Sequence, residues 1–152
     1  MSETEFINKN SKTVARSAVV AAVFALIGLI DAAYLTAKHF TDKNVPCNII
    51  SGCEMVLKSE FAEMFGIPTA AYGAVAYFIA FSLAVLTFYG NPKLWNLFGL
   101  VTFVMFGFTI YLLYLQGFVI NAFCQFCLLS AVTTTVLFTT YAVSVFLARK
   151  QF

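Results

Sequence analysis

Two cysteines in the last third of the chain, Cys124 and Cys127, have the spacing of a redox pair. They belong to the stretch Asn-Ala-Phe-Cys-Gln-Phe-Cys-Leu-Leu-Ser, residues 121–130, which opens a long apolar run. Thiols three residues apart lie about one helical turn apart and can form a reversible disulfide. If Asn121 is the N-cap, both sulfurs lie in the first turn, where free N–H groups and the helix dipole stabilise a thiolate. The stretch therefore predicts thiol chemistry.

A second pair, Cys47 and Cys53, precedes the first in the chain. Four cysteines in two local pairs indicate redox or metal chemistry, and three interpretations compete. A zinc or iron–sulfur site would face an oxidising compartment, and the wide loop spacing does not favour it, so we expect no metal. Structural disulfides explain Cys47–Cys53 better than Cys124–Cys127, because closing so small a ring stabilises little. An electron relay between the two pairs explains both spacings.

The composition is that of a membrane protein. Hydrophobic residues make up 61% of the 152 residues and charged residues 11%, where a soluble domain has about 25% charged residues. Between Pro68 and Ala148 the only charged side chain is Lys93. The net charge of +2 is too small to indicate nucleic-acid binding. We therefore predict an all-α integral membrane protein in contact with lipid, a four-transmembrane-helix bundle in one domain, residues 1–152.

The four apolar runs are each long enough to cross a bilayer. We place the spans at about 14–37, 68–89, 94–116 and 122–147, with an outer loop over 40–67. In the first span, Ser17, Ala21 and Ala25 recur every four residues and predict a close helix contact. Asp31 interrupts this span; a carboxylate there marks either a functional position or a structural polar contact, for example with Tyr34.

The loop is expected to carry a short half-helix. A rough helical stripe of apolar residues over Cys53–Phe65 favours a helix lying flat on the bundle or membrane surface. The Gly-Ile-Pro at 66–68 should end it and start the second span.

Charge asymmetry predicts the orientation. The termini and the second inter-span turn carry Lys9, Lys12, Arg16, Lys93, Arg149 and Lys150. The opposite side balances Lys38, Lys43 and Lys58 against Asp42, Glu54, Glu60 and Glu63. The positive-inside rule therefore places both termini in the cytoplasm. All four cysteines then lie on the outer face, where disulfides persist.

The Cys124–Cys127 pair is expected at the head of an apolar bundle, where a lipophilic two-electron acceptor could dissolve, and a quinone has that chemistry. Aromatic residues near the Cys124–Cys127 pair and on the third span are candidates for its pocket. They are Phe103, Tyr111, Tyr114, Phe118, Phe123 and Phe126.

These motifs together resemble the bacterial branch of the vitamin K epoxide reductase family. The resemblance is carried by the Cys-x5-Cys loop pair, the Gly-Ile-Pro, the Phe-Cys-Gln-Phe-Cys-Leu-Leu at 123–129 and the Asp-Ala-Ala-Tyr-Leu-Thr at 31–36. It covers essentially the whole chain. It implies four helices around a quinone, ubiquinone or menaquinone, with a loop half-helix covering the site.

The resemblance also implies roles for individual residues. Cys127 passes electrons to the quinone, Cys124 resolves it and exchanges with Cys53, and Cys47 forms the mixed disulfide with the reduced partner. Ser59 matches a hydroxyl position near the family's site. With Ser59 and Phe61, both on the loop, the expected quinone pocket has eight members.

Two departures from the family refine the expected function. Many bacterial relatives carry a fused thioredoxin-like domain, whereas this sequence stops four residues after Ala148, so we expect a stand-alone form with a separate periplasmic DsbA-type partner. Animal relatives have a tyrosine where Ala131 stands. We therefore expect an enzyme of the bacterial inner membrane that re-oxidises this partner and reduces quinone, supporting disulfide-bond formation. The alternatives are a quinone-epoxide reductase and a non-catalytic tetraspan protein with structural disulfides.

Overall fold

The computed structural model describes residues 3–41, 46–48 and 52–150, and side chains within these ranges from residue 11 onward. The helices in this part of the chain are α1 (Glu3–Phe40), α2 (Cys53–Leu57), α3 (Thr69–Phe88), α4 (Leu94–Tyr114) and α5 (Gln125–Lys150). A π-helical segment, Leu115–Ile120, continues α4. Two short antiparallel strands, β1 (Glu63–Met64) and β2 (Ile67–Pro68), form a hairpin before α3.

Four of the helical stretches in the described ranges are long and apolar enough to cross a membrane. They are Ser11–Phe40, Thr69–Phe88, Leu94–Ile120 and Gln125–Lys150. The predicted fold class, an all-α membrane protein with four spanning helices, is confirmed. Helices α1 and α5 extend beyond the expected spans, to Phe40 and Lys150, because their polar terminal turns continue the helix outside the apolar run. The third span continues to Ile120 through the π-helical segment, and the last helix begins at Gln125, three residues later than expected. That the whole chain forms one domain stays a prediction.

The bundle is built around α1, which packs against α3 and α5, while α4 packs against α3 and α5. Ala21 and Ala25 of α1 are fully buried, as the spacing of small residues predicts, and so is Ala18, whereas Ser17 of the predicted set is only partly buried. Farther along α1, a β-carbon at Gly28 would collide with the ring of Tyr77 on α3. The absence of a side chain at Gly28 thus lets Tyr77 lie directly on α1, deep in the bundle.

Aromatic packing between α4 and α5 closes the end of the bundle where α4 begins and α5 ends. The Trp95 ring stacks on Phe98 at a centroid distance of 4.6 Å. Its indole Nε1–H donates a hydrogen bond of 2.8 Å to Ser144 Oγ on α5. Inside a membrane such a bond avoids an unpaired donor in apolar surroundings. This closure leaves the end beneath α2 as the place where a cavity forms.

The expected loop helix over Cys53–Phe65 is wrong in its length, since α2 ends at Leu57. The Ser59 side chain donates to the carbonyl of Val56 at 2.7 Å and favours a turn there. The chain then forms the β1–β2 hairpin, whose turn holds Phe65 and Gly66 at φ values of 56° and 78°. A left-handed pair of this kind cannot continue a right-handed helix.

Some charged residues behind the predicted orientation, Lys9, Asp42 and Lys43, have side chains outside the described residues. The multi-pass membrane character is supported by the four long helices. The direction in which they are inserted stays a prediction.

Candidate active site

The Cys124–Cys127 pair follows an irregular connection between α4 and α5. The π-helical segment ends at Ile120 and is followed by Asn121, which has a left-handed backbone with φ of 53°. Ala122 N–H closes this turn by donating to the Gln116 carbonyl at 3.1 Å. Asparagine is one of the few residues that tolerate this conformation, so it ends the preceding segment and does not start the next helix.

Asn121 is therefore not the N-cap of the last helix, and that expectation is wrong. Helix α5 begins at Gln125, and the first carbonyl that accepts an intrahelical bond is that of Cys124, from Leu128 N–H at 3.0 Å. Cys124 thus has the N-cap position and Cys127 lies in the first turn. The prediction that the sulfurs of Cys124 and Cys127 both lie at the amino end of the last helix agrees with the structure.

Both cysteines of this pair are free thiols, with Cys124 buried and Cys127 partly exposed. A hydrogen bond from the Cys127 thiol lowers the pKa of Cys124 to about 7, against desolvation, which raises it. The backbone N–H groups of Cys127 and Phe126 also lower the pKa. Gln116 supports the arrangement, because its side-chain oxygen accepts a bond of 3.3 Å from Cys124 N–H. Near neutral pH the pair can thus hold one thiolate and one thiol.

This arrangement predicts a titration that depends on Cys127. With the loop disulfide intact, the thiolate absorbance of Cys124 should rise through a midpoint at about pH 7. Cys127→Ala removes the hydrogen-bond donor but leaves the burial, so the midpoint should move to higher pH. Ultraviolet titration measures both. Leu129→Ala, on the exposed side of the same helix, is the control; a midpoint unchanged by Cys127→Ala would contradict the assigned cause.

The loop pair, Cys47 and Cys53, forms a disulfide with a Cα–Cα distance of 6.3 Å. Cys53 starts α2 and is fully buried, while Cys47 is only partly buried. Cys53 and Cys124 belong to one hydrophobic cluster, with Cys47 and Cys127 packed against it. The structure thus brings together all four cysteines from two distant parts of the sequence.

Gly52 lets the loop approach this closely. A β-carbon there would lie 2.5 Å from the carbonyl oxygen of Phe123 and 2.9 Å from its nitrogen. The φ of Gly52 is −88°, a value that other residues adopt, so close packing and not backbone conformation requires glycine. The backbone before Cys53 therefore lies directly on the backbone before Cys124.

A cavity of about 410 Å³ opens next to the cluster, between the four long helices and the segment from α2 to the hairpin. Cys127 is part of its wall; Cys124 is not. Asp31, Tyr77 and Gln116 are among the few polar side chains in a largely apolar lining. Cys127 therefore faces the cavity while Cys124 faces the loop disulfide.

The cavity fits a quinone on its own features. Its volume lies within the range of about 300–1,000 Å³ typical of small-molecule sites, and apolar walls with a few polar groups suit an aromatic dione. Among the described residues, the buried Oδ2 of Asp31 has no hydrogen-bond partner, so a polar atom is available to a ligand. A quinone here would supply a two-electron acceptor beside the Cys127 sulfur.

The eight residues expected to surround the quinone fall into three groups by their position relative to the cavity. Ser59 and Phe61 line the cavity. Phe126 packs against Tyr34 at 5.5 Å and against the cysteine cluster. The remaining five are at least 44% exposed and are not part of the cavity wall: Phe103, Tyr111, Tyr114, Phe118 and Phe123. An aromatic side chain suits a lipid-facing surface as well as a pocket, so residue type alone does not separate the two.

Sequence reasoning missed several residues that the structure places at the cavity. Gln116 lines it and is 3% exposed, although the sequence suggested only the end of a span there. Tyr77 lines it too, and its hydroxyl lies 2.9 Å from Ser130 Oγ and 2.8 Å from Thr134 Oγ1. A polar residue inside an apolar span by default marks a functional position, and this signal could have identified Gln116 from the sequence.

A sequence profile of the Vitamin K epoxide reductase family matches residues 19–142. The matched region contains both cysteine pairs, Asp31 and every residue described above at the cavity. The match covers most of the chain and agrees with four spanning helices that surround a cavity beside paired cysteines. The chain therefore belongs to the Vitamin K epoxide reductase family.

Proposed function

We propose that this protein is a membrane quinone reductase that re-oxidises a thioredoxin-like, DsbA-type thiol oxidase and so supports disulfide-bond formation. One observation carries the proposal: Cys127 packs against the cluster that contains Cys53 and Cys124, and it is also part of the cavity wall. Members of the family are oxidoreductases, are associated with quinones and usually work with a thioredoxin-like partner. These observations support a relay from Cys47 and Cys53 to Cys124 and Cys127.

The first exchange takes place at the loop disulfide. A thiolate of the reduced partner attacks Cys47 Sγ, the more accessible sulfur, and the Cys47–Cys53 bond breaks with Cys53 as the leaving thiolate. The partner's second thiolate then attacks the mixed disulfide and frees Cys47, so the partner leaves oxidised. Two electrons now reside on the loop pair, and the chemistry needs no group beyond the thiols themselves.

The second exchange transfers these electrons to the inner pair. Cys53 Sγ attacks Cys124 Sγ of an oxidised Cys124–Cys127 pair, and Cys127 leaves as the thiolate beside the cavity. Cys47 Sγ then attacks Cys53 Sγ, which breaks the Cys53–Cys124 bond, releases Cys124 as a thiolate and restores the loop disulfide. One proton released by the loop thiols passes to the inner pair, which then holds one thiol and one thiolate. The structure has the same arrangement of bonds, with a disulfide between Cys47 and Cys53 and free thiols at Cys124 and Cys127.

The direction of electron flow sets a requirement on the acceptor. A DsbA-type protein has a reduction potential of about −120 mV, so its re-oxidation needs an acceptor of higher potential. Ubiquinone or menaquinone dissolved in the bilayer is the acceptor that we propose, with Ser59 and Phe61 in its pocket. We place the protein in the bacterial inner membrane, and the excess of basic residues at the termini supports cytoplasmic termini and an outer, periplasmic site.

The test uses the purified full-length protein in detergent. A reduced DsbA-type protein and ubiquinone or menaquinone are added, and quinone absorbance is followed. We expect quinone loss that depends on both the partner and the protein, and none with a Cys53→Ala variant. Consumption of a quinone epoxide in place of quinone would support epoxide reduction instead. Ala131 lies in the cavity wall where the animal relatives carry tyrosine, and this difference favours quinone over quinone epoxide as the substrate.

A further inference from the structure

Asp31 is the one buried carboxyl that the proposed relay leaves without a role among the described residues. It lies on α1 and lines the cavity that contains Cys127 in its wall. Its side chain is 7% exposed, and its Oδ2 has no hydrogen-bond partner within the described ranges. Buried polar atoms are almost always paired, so an unpaired carboxyl oxygen at a cavity indicates that its partner is a ligand.

The groups around Asp31 do not neutralise a charge on it. From α3 it faces Tyr77, whose hydroxyl is engaged with Ser130 and Thr134 of α5. Cys124 and Cys127, at the start of α5, interact electrostatically with Asp31 and carry no positive charge. A neutral carboxyl costs far less to bury than an unpaired carboxylate. The site is therefore suited to a carboxyl that carries a proton.

The only basic side chain in the described cavity lining is His39, on the same helix. It lies eight residues after Asp31, about 12 Å along the helix axis, and Nε2 pairs with Glu63 Oε1 of the hairpin at 2.8 Å. Asp31, Leu35 and His39 follow one face of α1 and all line the cavity. This face connects Asp31 with the polar end of the helix.

The proton balance of quinone reduction requires a proton donor at the cavity. Reduction to a hydroquinone consumes two electrons and two protons. Above about pH 7, Cys124 has lost its proton, and the two sulfurs hold one proton between them. Formation of the Cys124–Cys127 bond then supplies both electrons but only one proton. The second proton must come from elsewhere in the cavity.

We propose that Asp31 is the proton donor of this site, a role that rests on the proposed function. Its carboxyl O–H protonates one oxygen of the bound quinone, and the Cys127 thiol provides the other proton. One thiol, one thiolate, one quinone and one carboxylic acid thus become one disulfide, one hydroquinone and one carboxylate. The carboxylate regains its proton from the outer aqueous phase along the α1 face that ends at His39.

The test compares Asp31→Asn, which keeps the shape but has no acidic proton, with Asp31→Glu, which keeps the acid. General acid catalysis is worth about 10² to 10⁴ in rate. At pH 8 we expect quinone reduction by Asp31→Asn to fall by about 100-fold or more, with partial activity in Asp31→Glu. Below pH 7 the loss should shrink, because Cys124 then keeps its own proton.

Two further measurements separate this role from a structural one. The exchange between reduced partner and loop disulfide, followed by gel shift, should be unchanged in Asp31→Asn. Infrared spectra of the quinone-free protein at pH 7 should show a carboxylic C=O band that shifts in Asp31→Glu and disappears in Asp31→Asn. A wild type that reduces quinone no faster than Asp31→Asn at every pH, or that lacks this band, overturns the proposal. A wild type that reduces no quinone refutes the proposed function instead.

Discussion

Cys127→Ala should reduce quinone at no measurable rate while its loop disulfide still oxidises the partner. Cys127 is the cysteine in the cavity wall, and alanine there removes the sulfur from which electrons would leave the protein. The loop disulfide does not depend on it, because Cys47 and Cys53 bond to each other. Quinone absorbance and the redox state of the partner, followed in the same reaction, separate the two half-reactions. One stoichiometric oxidation of the partner is expected, followed by arrest.

Two variants serve as controls for this result. Cys47→Ala should block oxidation of the partner and leave the quinone pocket intact, which a quinone-binding measurement can verify. Leu129→Ala lies two residues from Cys127 on the exposed side of α5 and should retain the wild-type rate. Quinone turnover by Cys127→Ala equal to that of the wild type would remove Cys127 from the relay.

Gly52→Ala should slow electron transfer between the two pairs by about 100-fold, the loss that a displacement of about 1 Å can cause. The added β-carbon would meet the backbone of Phe123 at 2.5 Å, and backbone cannot rotate away as a flexible side chain can. The loop must therefore lift, and Cys53 lifts with it away from Cys124. Rapid mixing of the loop-reduced protein with quinone measures the rate.

Gly107→Ala is the matched control, because it makes the same chemical change where, apart from the backbone of its own helix, no atom of the described residues lies within 4 Å of the new β-carbon. It should behave as the wild type. Partner oxidation at Cys47 should survive in Gly52→Ala, since Cys47 does not need the contact with Phe123. An unchanged transfer rate in Gly52→Ala would show that the close contact is unimportant for the relay.

The sequence was informative where chemistry restricts residue type. Cysteine spacing predicts two pairs, and the structure brings Cys53 and Cys124 into one cluster, with Cys47 and Cys127 packed against it. An aspartate inside an apolar span is rare enough to be noticed, and Asp31 indeed lies at the cavity. The long apolar runs predict four membrane-spanning helices because a bilayer requires about 20 apolar residues in succession.

Features that depend on local backbone geometry could not be predicted in this way. Asparagine at position 121 is compatible with an N-cap position and with a left-handed backbone conformation. Only the preceding π-helical segment decides between the two. The apolar stripe of Cys53–Phe65 is equally compatible with a helix and with a hairpin that covers a cavity. The turn at Phe65 and Gly66 selects the hairpin. The close approach at Gly52 has no sequence signal, because it arises from contact with Phe123, 71 residues later in the chain (123 − 52).

The most direct test of the relay asks whether Cys53 and Cys124 can bond to each other. In the full-length double variant Cys47→Ala/Cys127→Ala these are the only cysteines in the chain. On mild oxidation we predict an intramolecular Cys53–Cys124 disulfide in most of the protein, identified by mass spectrometry of the linked peptides. Two free thiols, or bonds formed only between separate molecules, would contradict the account.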